Sequence, residues 1–210
     1  KWQLGNVFLA GDAAHQMPPF MGQGMCSGIR DASNLAWKLK TLIREGASER
    51  ILESYEEERR PHVEECIKLS INAGELVTSD NPVFPKADTN DPEKWSRLPP
   101  LKSGIFSNTG YERIGHQGRQ PEVSHGGQKI LLDRVGGNDW YLVSSQPSKK
   151  TRTWCQTISK RDLDDDSREI DLLLNGNDAV LIRPDRYIFG FAEEEKIKDL
   201  LDEAEKKMGM

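Results

Sequence analysis

The order of apolar and polar residues in the first 46 positions predicts a strand, a loop and a helix. Residues 6–10 (NVFLA) are a short continuous apolar run, which is typical of a strand buried on both faces. Residues 13–24 contain two prolines and two glycines, so we expect an ordered loop there. From Met25 the apolar residues recur at helical spacing, with Arg30, Asn34, Lys38 and Thr41 on the opposite face. This pattern is typical of a helix that packs its apolar stripe on a core, and Gly46 should end it.

A second helix is predicted from Ser48, a favourable N-cap residue, to about Val77. Its charged run at residues 56–60 (EEERR) is interpreted as a solvated helix face rather than a binding patch. Pro61 has no amide hydrogen, and its ring clashes with the turn before it. We therefore expect Pro61 either to kink this helix or to start another one.

The remainder of the chain reads as a linker followed by a small α/β unit. Prolines and glycines without hydrophobic periodicity, from residue 79 to about 128, indicate a linker with irregular covering structure. Strands are predicted at residues 129–132, 140–143, 179–182 and 187–191, and an amphipathic helix at 193–207. Pro184 and Asp185 favour a β-turn, so the last two strands should form a hairpin.

Composition narrows the class of protein. The chain has 210 residues and a net charge of −5, from 29 Lys and Arg against 34 Asp and Glu, with no basic block. This balance argues against a nucleic acid or an anionic membrane as partner. No apolar run approaches the ~20 residues that span a bilayer. The chain begins with lysine rather than methionine, as though an upstream segment were absent. We therefore expect a soluble, cytoplasmic protein that is part of a longer one.

Neither the cysteines nor the acidic residues predict a metal site. The three cysteines are far apart in the sequence, and they form neither a disulfide framework nor a ligand set. The acidic stretch at residues 162–166 lacks the glycine and the terminal glutamate of a calcium loop. It is interpreted as a solvated turn.

The segment from Gly11 to Cys26 carries the candidate chemistry. Asp12 directly follows the predicted strand, where ligands collect in open α/β sheets and where a carboxylate can accept hydrogen bonds from polyol hydroxyls. Gly22 and Gly24 allow a ligand to approach the backbone closely. The amides of Gly24, Met25 and Cys26 lie at a helix start, which favours negative charge. These features indicate a site for a polyhydroxylated cofactor with an electron-accepting ring, the plainer alternative being a helix cap with a rigid loop.

Residues 6–39, from NVFLAGDAAH through GQGM to DASNLAWKL, resemble the second flavin-binding motif of the FAD-dependent aromatic hydroxylases. The resemblance is greatest to the phenol hydroxylase and 3-(3-hydroxyphenyl)propionate hydroxylase branch, and residues 55–61 (YEEERRP) also match it. Members of this branch end in a thioredoxin-like domain, to which residues 130–133 and 182–187 are similar. The implied fold is α/β: a strand–loop–helix piece of a Rossmann-like FAD-binding domain with helices, then a small thioredoxin-like domain. The implied bounds are 1–78 for the FAD-binding segment, 79–110 for a linker and 111–210 for the terminal domain.

The resemblance also implies roles for individual residues. Asp12 would bind the ribityl chain of FAD, and the amides around Gly24 would meet the N1–C2=O edge of the flavin. The implied cofactor-binding residues are Gly11, Asp12, Pro18, Pro19, Gly22, Gly24, Met25 and Cys26, and the implied substrate pocket contains Pro19 and Phe20. Enzymes of this kind use NADH or NADPH and O2 to hydroxylate a small phenolic ring. We interpret His15 as a packed loop residue rather than a proton shuttle.

Two departures from the family pattern limit what these residues can do alone. The G-x-G-x-x-G motif that holds the FAD pyrophosphate does not occur in this chain. We therefore expect the 210 residues to need an amino-terminal FAD-binding region, and neither to hold FAD tightly nor to hydroxylate a substrate without it. In the terminal unit, Ile158 stands where a redox pair with Cys155 would need its second thiol, which makes dithiol exchange improbable. The alternative is a non-catalytic interaction module, made of helices and a thiol-less thioredoxin-like domain, that forms a homodimer or packs on another partner.

Overall fold

The computed structural model describes residues 1–80, 98–147, 152–163 and 168–210. At the amino terminus, β1 (Gln3–Leu4) pairs antiparallel with β2 (Val7–Phe8). The prediction of a strand buried on both faces was wrong, because β2 spans only two residues and Val7 is 66 % exposed. The physical reason is that, within the described ranges, β2 has β1 as its single neighbouring strand and no layer covers its outer face.

Helix α1 (Gly24–Glu45) ends at Gly46, as predicted, with φ at +75°. The expected orientation of its faces was wrong in part. Asn34, Lys38 and Thr41 are buried, whereas Met25 and Ile43 are each more than 70 % exposed. The polar face is buried because charged partners from distant segments pack on it. Leu35, Leu39 and Leu42 of the apolar stripe are half-buried and pack against the core, so only part of the stripe lies on the surface.

Helix α2 (Arg50–Thr78) runs without interruption through Pro61, so the proline does not start a new helix. A proline leaves the carbonyl four residues earlier without its helical partner. That carbonyl belongs to Glu57, and it accepts a hydrogen bond of 2.9 Å from the hydroxyl of Ser103. Ser103, which follows α2 in the chain, thus supplies the hydrogen-bond donor that Pro61 lacks. Ser48 acts near the predicted position, since its hydroxyl accepts a 3.4 Å hydrogen bond from the amide of Arg50.

The interpretation of residues 56–60 as a solvated face was wrong for two of the five. Glu58 is 1 % exposed and Arg59 is fully buried. Arg59 Nε donates to Asp31 of α1 at 2.8 Å, and both Glu58 oxygens accept bonds from Arg183. Burial of these charges is possible because each meets an opposite charge from another part of the chain.

The carboxyl-terminal unit contains a hairpin and a four-stranded mixed sheet. The hairpin is β3 (Glu122–His125) with β4 (Gln128–Leu131), and it leads into the short helix α3 (Leu132–Gly136). The sheet has the order β6-β5-β7-β8. Its strands are β5 (Trp140–Ser144), β6 (Cys155–Ser159), β7 (Ala179–Ile182) and β8 (Ile188–Ala192). β5 and β6 are parallel, whereas β7 is antiparallel to both β5 and β8.

The predicted hairpin between the last two strands is confirmed. The amide of Arg186 donates to the carbonyl of Arg183 at 2.9 Å, which closes the turn. Helix α4 (Glu169–Leu174) precedes β7, and α5 (Ile197–Met208) follows β8 close to its predicted position. Sequence reasoning missed β6, β3 and the β1–β2 hairpin. Asp164, Asp165 and Asp166 of the acidic stretch lie outside the described residues.

Both faces of the sheet are buried, and one of them packs on the amino-terminal helices. On that face Trp140 contacts Trp37 of α1, with ring centroids 5.5 Å apart, and Ile51 and Leu52 of α2 join the same cluster. On the other face Tyr141 and Val180 pack with α4. None of the helices in the described ranges has the length and hydrophobicity that crossing a bilayer requires. Helices α1 and α2 thus share an apolar cluster with one face of the sheet, and the other face forms a separate cluster with α4.

Candidate functional site

The turn that carries Asp12 lies directly against helix α1. Gly11–Ala13 form a single 3-10 turn, and Gly11 has a φ of +60°, which glycine adopts without strain. A Cβ placed on Gly28 of α1 would be 3.1 Å from the Gly11 Cα, so two glycines allow turn and helix to approach this closely. The Asp12 side chain points to the exposed side, and no residue of the described ranges forms a hydrogen bond with it.

Asp31, a fully buried residue of α1, holds this turn in place. Its carboxylate accepts a hydrogen bond from the Gly11 amide at 3.1 Å and from Arg59 Nε at 2.8 Å. The Nε2 atom of His15 lies 2.6 Å from the same carboxylate. The His15 ring also stacks on Trp2, with centroids 5.1 Å apart. His15 is thus a packed loop residue, as interpreted from the sequence. Sequence reasoning missed the role of Asp31, since a single aspartate within a helix gives no local signal.

Helix α2 fixes the proline-containing loop. The Ser70 hydroxyl donates to the Pro18 carbonyl at 2.7 Å. Pro19–Met21 form a second 3-10 turn, which Gly22 ends with a φ of +62°. The Phe20 ring lies against Gly74 of α2, where a Cβ would come within 2.4 Å of the ring, and it remains half exposed. Ser70 and Gly74 are further positioning residues that the sequence patterns did not reveal.

Tyr55 of α2 binds the segment between β2 and the Asp12 turn. Its hydroxyl donates to the Leu9 carbonyl at 2.8 Å. Burial and the nearby Asp31 carboxylate raise the pKa of Tyr55 well above its usual value. The phenol therefore stays protonated and keeps its role as a donor at all physiological pH values.

The first turn of α1 presents free amides next to the Asp12 turn. No oxygen in the described parts of the chain accepts a hydrogen bond from the N–H groups of Gly24, Met25 or Cys26, and Gln23 provides no side-chain cap. A Cβ placed on Gly24 would meet no atom within 4 Å, so the space beside it is open. Because unpaired amides and the helix dipole leave partial positive charge here, this end of α1 suits an anionic ligand group.

The structure brings the predicted site residues together at one end of α1. Gly28, which contacts the Asp12 turn, lies one helical turn after Gly24, or about 6 Å along the axis. The turn that carries the Asp12 carboxylate, an acceptor for hydroxyl groups, therefore contacts α1 about one helical turn from the free donors. This combination fits a ligand with a polyol chain and a ring that gains negative charge. Cys26 is half-buried at the same helix start.

Comparison with known proteins identifies similar sequences. Residues 1–70 match the FAD-binding domain family FAD_binding_3. A probable NADH-specific resorcinol 4-hydroxylase of Rhodococcus jostii is 30 % identical over 92 % of this chain and 41 % of its own length. A 3-(3-hydroxy-phenyl)propionate/3-hydroxycinnamic acid hydroxylase of Escherichia coli K12 is 42 % identical over 68 % of this chain and 29 % of its own length.

Solved structures show a similar fold. Aklavinone-11 hydroxylase in complex with FAD and aklavinone superposes with a TM-score of 0.73 at 19 % identity, covering 100 % of this chain and 45 % of that protein. The flavin-dependent monooxygenase PieE superposes with a TM-score of 0.75 at 17 % identity, covering 99 % of this chain and 48 % of that protein. The chain thus spans less than half the length of each of these proteins.

Residues 1–70 therefore carry part of an FAD-binding domain. Over most of its length the chain is similar to the resorcinol and hydroxyphenylpropionate hydroxylases, which confirms the resemblance to the FAD-dependent aromatic hydroxylases seen in the sequence.

Proposed function

We propose that this chain forms the flavin- and substrate-flanking part of an FAD-dependent monooxygenase that hydroxylates a phenolic substrate with NADH or NADPH and O2. The observation that carries the proposal is the exposed Asp12 carboxylate beside the free amides of Gly24, Met25 and Cys26. The names of the resorcinol and hydroxyphenylpropionate hydroxylases support a phenolic substrate. The same resorcinol hydroxylase supports NADH as the reductant.

Each of the site residues would act by binding the cofactor or by bordering the cofactor or the substrate. FAD, when bound, supplies the electron transfer and the activation of oxygen. Asp12 would accept hydrogen bonds from the ribityl hydroxyls, and the amides of Gly24 to Cys26 would face the ring edge that becomes anionic on reduction. A helix N-terminus favours such a charge by roughly 0.3–1 kcal/mol, and more when partly buried. Pro18 and Pro19 would border the ring, and Pro19 and Phe20 would line the substrate side.

An apolar surface of this chain supports a further FAD-binding region as its partner. Leu4 and Met25 are each 75 % exposed, and Val7, Ile29 and Ile43 are also exposed. Leu4 and Val7 lie on the β1–β2 hairpin, and Met25, Ile29 and Ile43 lie on α1. Large apolar side chains are exposed in this way where a protein contacts a partner. The region that carries the missing G-x-G-x-x-G motif is the proposed occupant, and we call its assembly with this chain the intact flavoprotein.

We further propose that residues 111–210 form a thioredoxin-like domain, joined through a linker at 79–110 to the FAD-binding segment 1–78. The strand order β6-β5-β7-β8, with its parallel first pair and antiparallel remainder, supports this assignment. Burial raises the pKa of the Cys155 thiol to about 12. Because Ile158 replaces the second thiol, this domain has no dithiol chemistry in the proposed enzyme.

Replacing Asp12 tests the proposal in the intact flavoprotein. Asp12→Ala removes a charged acceptor, and charged hydrogen bonds contribute about 1.5–3 kcal/mol. We expect the dissociation constant of FAD, measured by flavin fluorescence titration, to rise about tenfold or more. Asp199→Ala, at an exposed aspartate of α5, is the matched control and should leave FAD affinity unchanged. Equal FAD affinity in Asp12→Ala and wild type would refute the role of Asp12.

The 210-residue chain alone provides the complementary test. We expect no tight FAD binding by these residues, because the dinucleotide motif is not among them. Stoichiometric binding in the same titration would show that no further FAD-binding region is needed.

A further inference from the structure

A buried ion network joins the β7–β8 turn to helices α1 and α2. It consists of Lys38, Glu58, Arg183 and Asp185, all buried. Arg183 donates to both oxygens of Glu58, at 3.1 and 2.7 Å, and to both oxygens of Asp185, at 3.0 and 2.7 Å. Two cations and two carboxylates make the network neutral. Such paired charges hold a defined geometry because breaking one pair leaves an uncompensated buried charge.

Three residues of helix α1 take part in this network. The side-chain amide of Asn34 donates to Glu58 and to Asp185, each at 2.8 Å. Lys38 Nζ lies 2.9 Å from Glu58. The Trp37 ring also lies against the Arg183 guanidinium, with its centroid 5.1 Å from Cζ. The middle of α1 is therefore fixed to the carboxyl-terminal sheet by directional bonds as well as by apolar packing.

The turn that supplies Arg183 and Asp185 is itself well ordered. Its backbone closes through Arg186 N–H to the Arg183 carbonyl, and the Arg183 amide donates to the Tyr187 carbonyl at 2.9 Å. Arg183 also donates to the Ile105 carbonyl at 3.1 Å, and the Ile105 amide donates to Glu58 at 2.8 Å. The guanidinium thus bridges three segments that are far apart in the sequence.

We propose that the turn at Arg183–Asp185 is a positioning element for the amino-terminal half of α1. Asn34 lies ten residues after Gly24, or about 15 Å along the helix. Between them, Asp31 holds the turn of Gly11. Because an α-helix is rigid over this length, a shift at Asn34 would also move Asp31, which holds the Gly11 turn, and the free amides at Gly24. The carboxyl-terminal unit thus fixes the orientation of the Asp12 turn and of the free amides, and its consequence for FAD rests on the function proposed above.

Hydrogen–deuterium exchange on the 210-residue chain tests this inference without any cofactor. The double variant Arg183→Met/Asp185→Asn removes the bridge but leaves Lys38 and Glu58 as a neutral pair. We expect the amides of residues 27–38 to exchange at least about fivefold faster, because local opening of α1 becomes easier. Leu173→Ala is the matched control, since Leu173 is buried on the opposite face of the sheet. It should lower overall stability without a selective effect on α1.

Arg183→Lys provides a second variant in case the double variant does not fold. It keeps the network neutral but loses the planar fork that binds both carboxylates, so a smaller selective increase in α1 exchange is expected. If α1 exchanges as in the Leu173→Ala control in whichever variant folds, the positioning role is refuted. In the intact flavoprotein, the variants should also weaken FAD binding. Faster α1 exchange with unchanged FAD affinity would uphold the positioning role and refute the placement of the flavin at α1.

Discussion

Asp31→Ala is expected to destabilise the chain by about 3–5 kcal/mol, because it leaves a buried charge without its partner. Asp31 is fully buried, and its carboxylate is 2.8 Å from Arg59 Nε, which is also fully buried. The same change removes the acceptor of the Gly11 amide and the partner of His15. Urea denaturation of the 210-residue chain, followed by tryptophan fluorescence, would measure the loss.

Asp12→Ala is the matched control for this prediction. Asp12 lies only one residue from the Gly11 amide that Asp31 binds, but its side chain is exposed and has no partner in the described ranges. We expect its unfolding free energy to stay within about 0.5 kcal/mol of the wild type. Losses of equal size in the two variants would contradict the positioning role of Asp31.

Glu58→Gln is expected to lower the free energy of unfolding at neutral pH by about 3–5 kcal/mol, as for Asp31→Ala. The reason is that Asp185 is then the one carboxylate of the network left to Arg183 and Lys38. Burial acts to raise the pKa of Glu58, but Arg183 and Lys38 outweigh it and lower the pKa to about 2. A folded-state pKa below the unfolded value means that folding favours the charged form. Its stabilising contribution is therefore full above about pH 4.5 and is lost as the pH falls towards 2.

Urea denaturation between pH 7 and pH 2 would check this sign. The difference in stability between wild type and Glu58→Gln should narrow as the pH falls below about 4.5, since glutamine cannot titrate. Glu64→Gln is the control, because Glu64 is exposed and pairs with the surface residue Arg60. Exposed pairs of this kind contribute about 0–1 kcal/mol. A gap that stays constant down to pH 2 would show that Glu58 is not the acid-sensitive group.

Local sequence patterns predicted the parts of the site that depend on neighbours in the chain. The loop between Gly11 and Gly24, the helix start and the turn at Pro184 all follow from proline, glycine and aspartate at short spacing. The contacts that these segments make with distant parts of the chain could not be predicted from the same local patterns. The turn at Pro184 was predicted as a hairpin connection, but nothing local indicates that it binds α1.

The wrong predictions about charged and polar side chains share one cause, which is that their burial depends on distant residues. Glu58 reads as part of a solvated charged run, yet its partner Arg183 is 125 positions away. Asn34 and Lys38 were placed on the face away from the core for the same reason. Conversely, Met25 and Ile43 read as core positions but lie on the surface of this chain. The helical spacing of the apolar residues predicted α1 correctly. It did not predict which face of α1 packs against the rest of the described chain.

The most direct test of the central claim is amide exchange at the start of α1 in the intact flavoprotein, with and without FAD. The claim is that the N–H groups of Gly24, Met25 and Cys26, which have no acceptor in the described ranges, bind the flavin ring. Mass spectrometry or NMR should therefore show slower exchange at these three residues when FAD is bound, with little change at the exposed end of α5. Unchanged exchange at Gly24, Met25 and Cys26 under saturating FAD would contradict the claim.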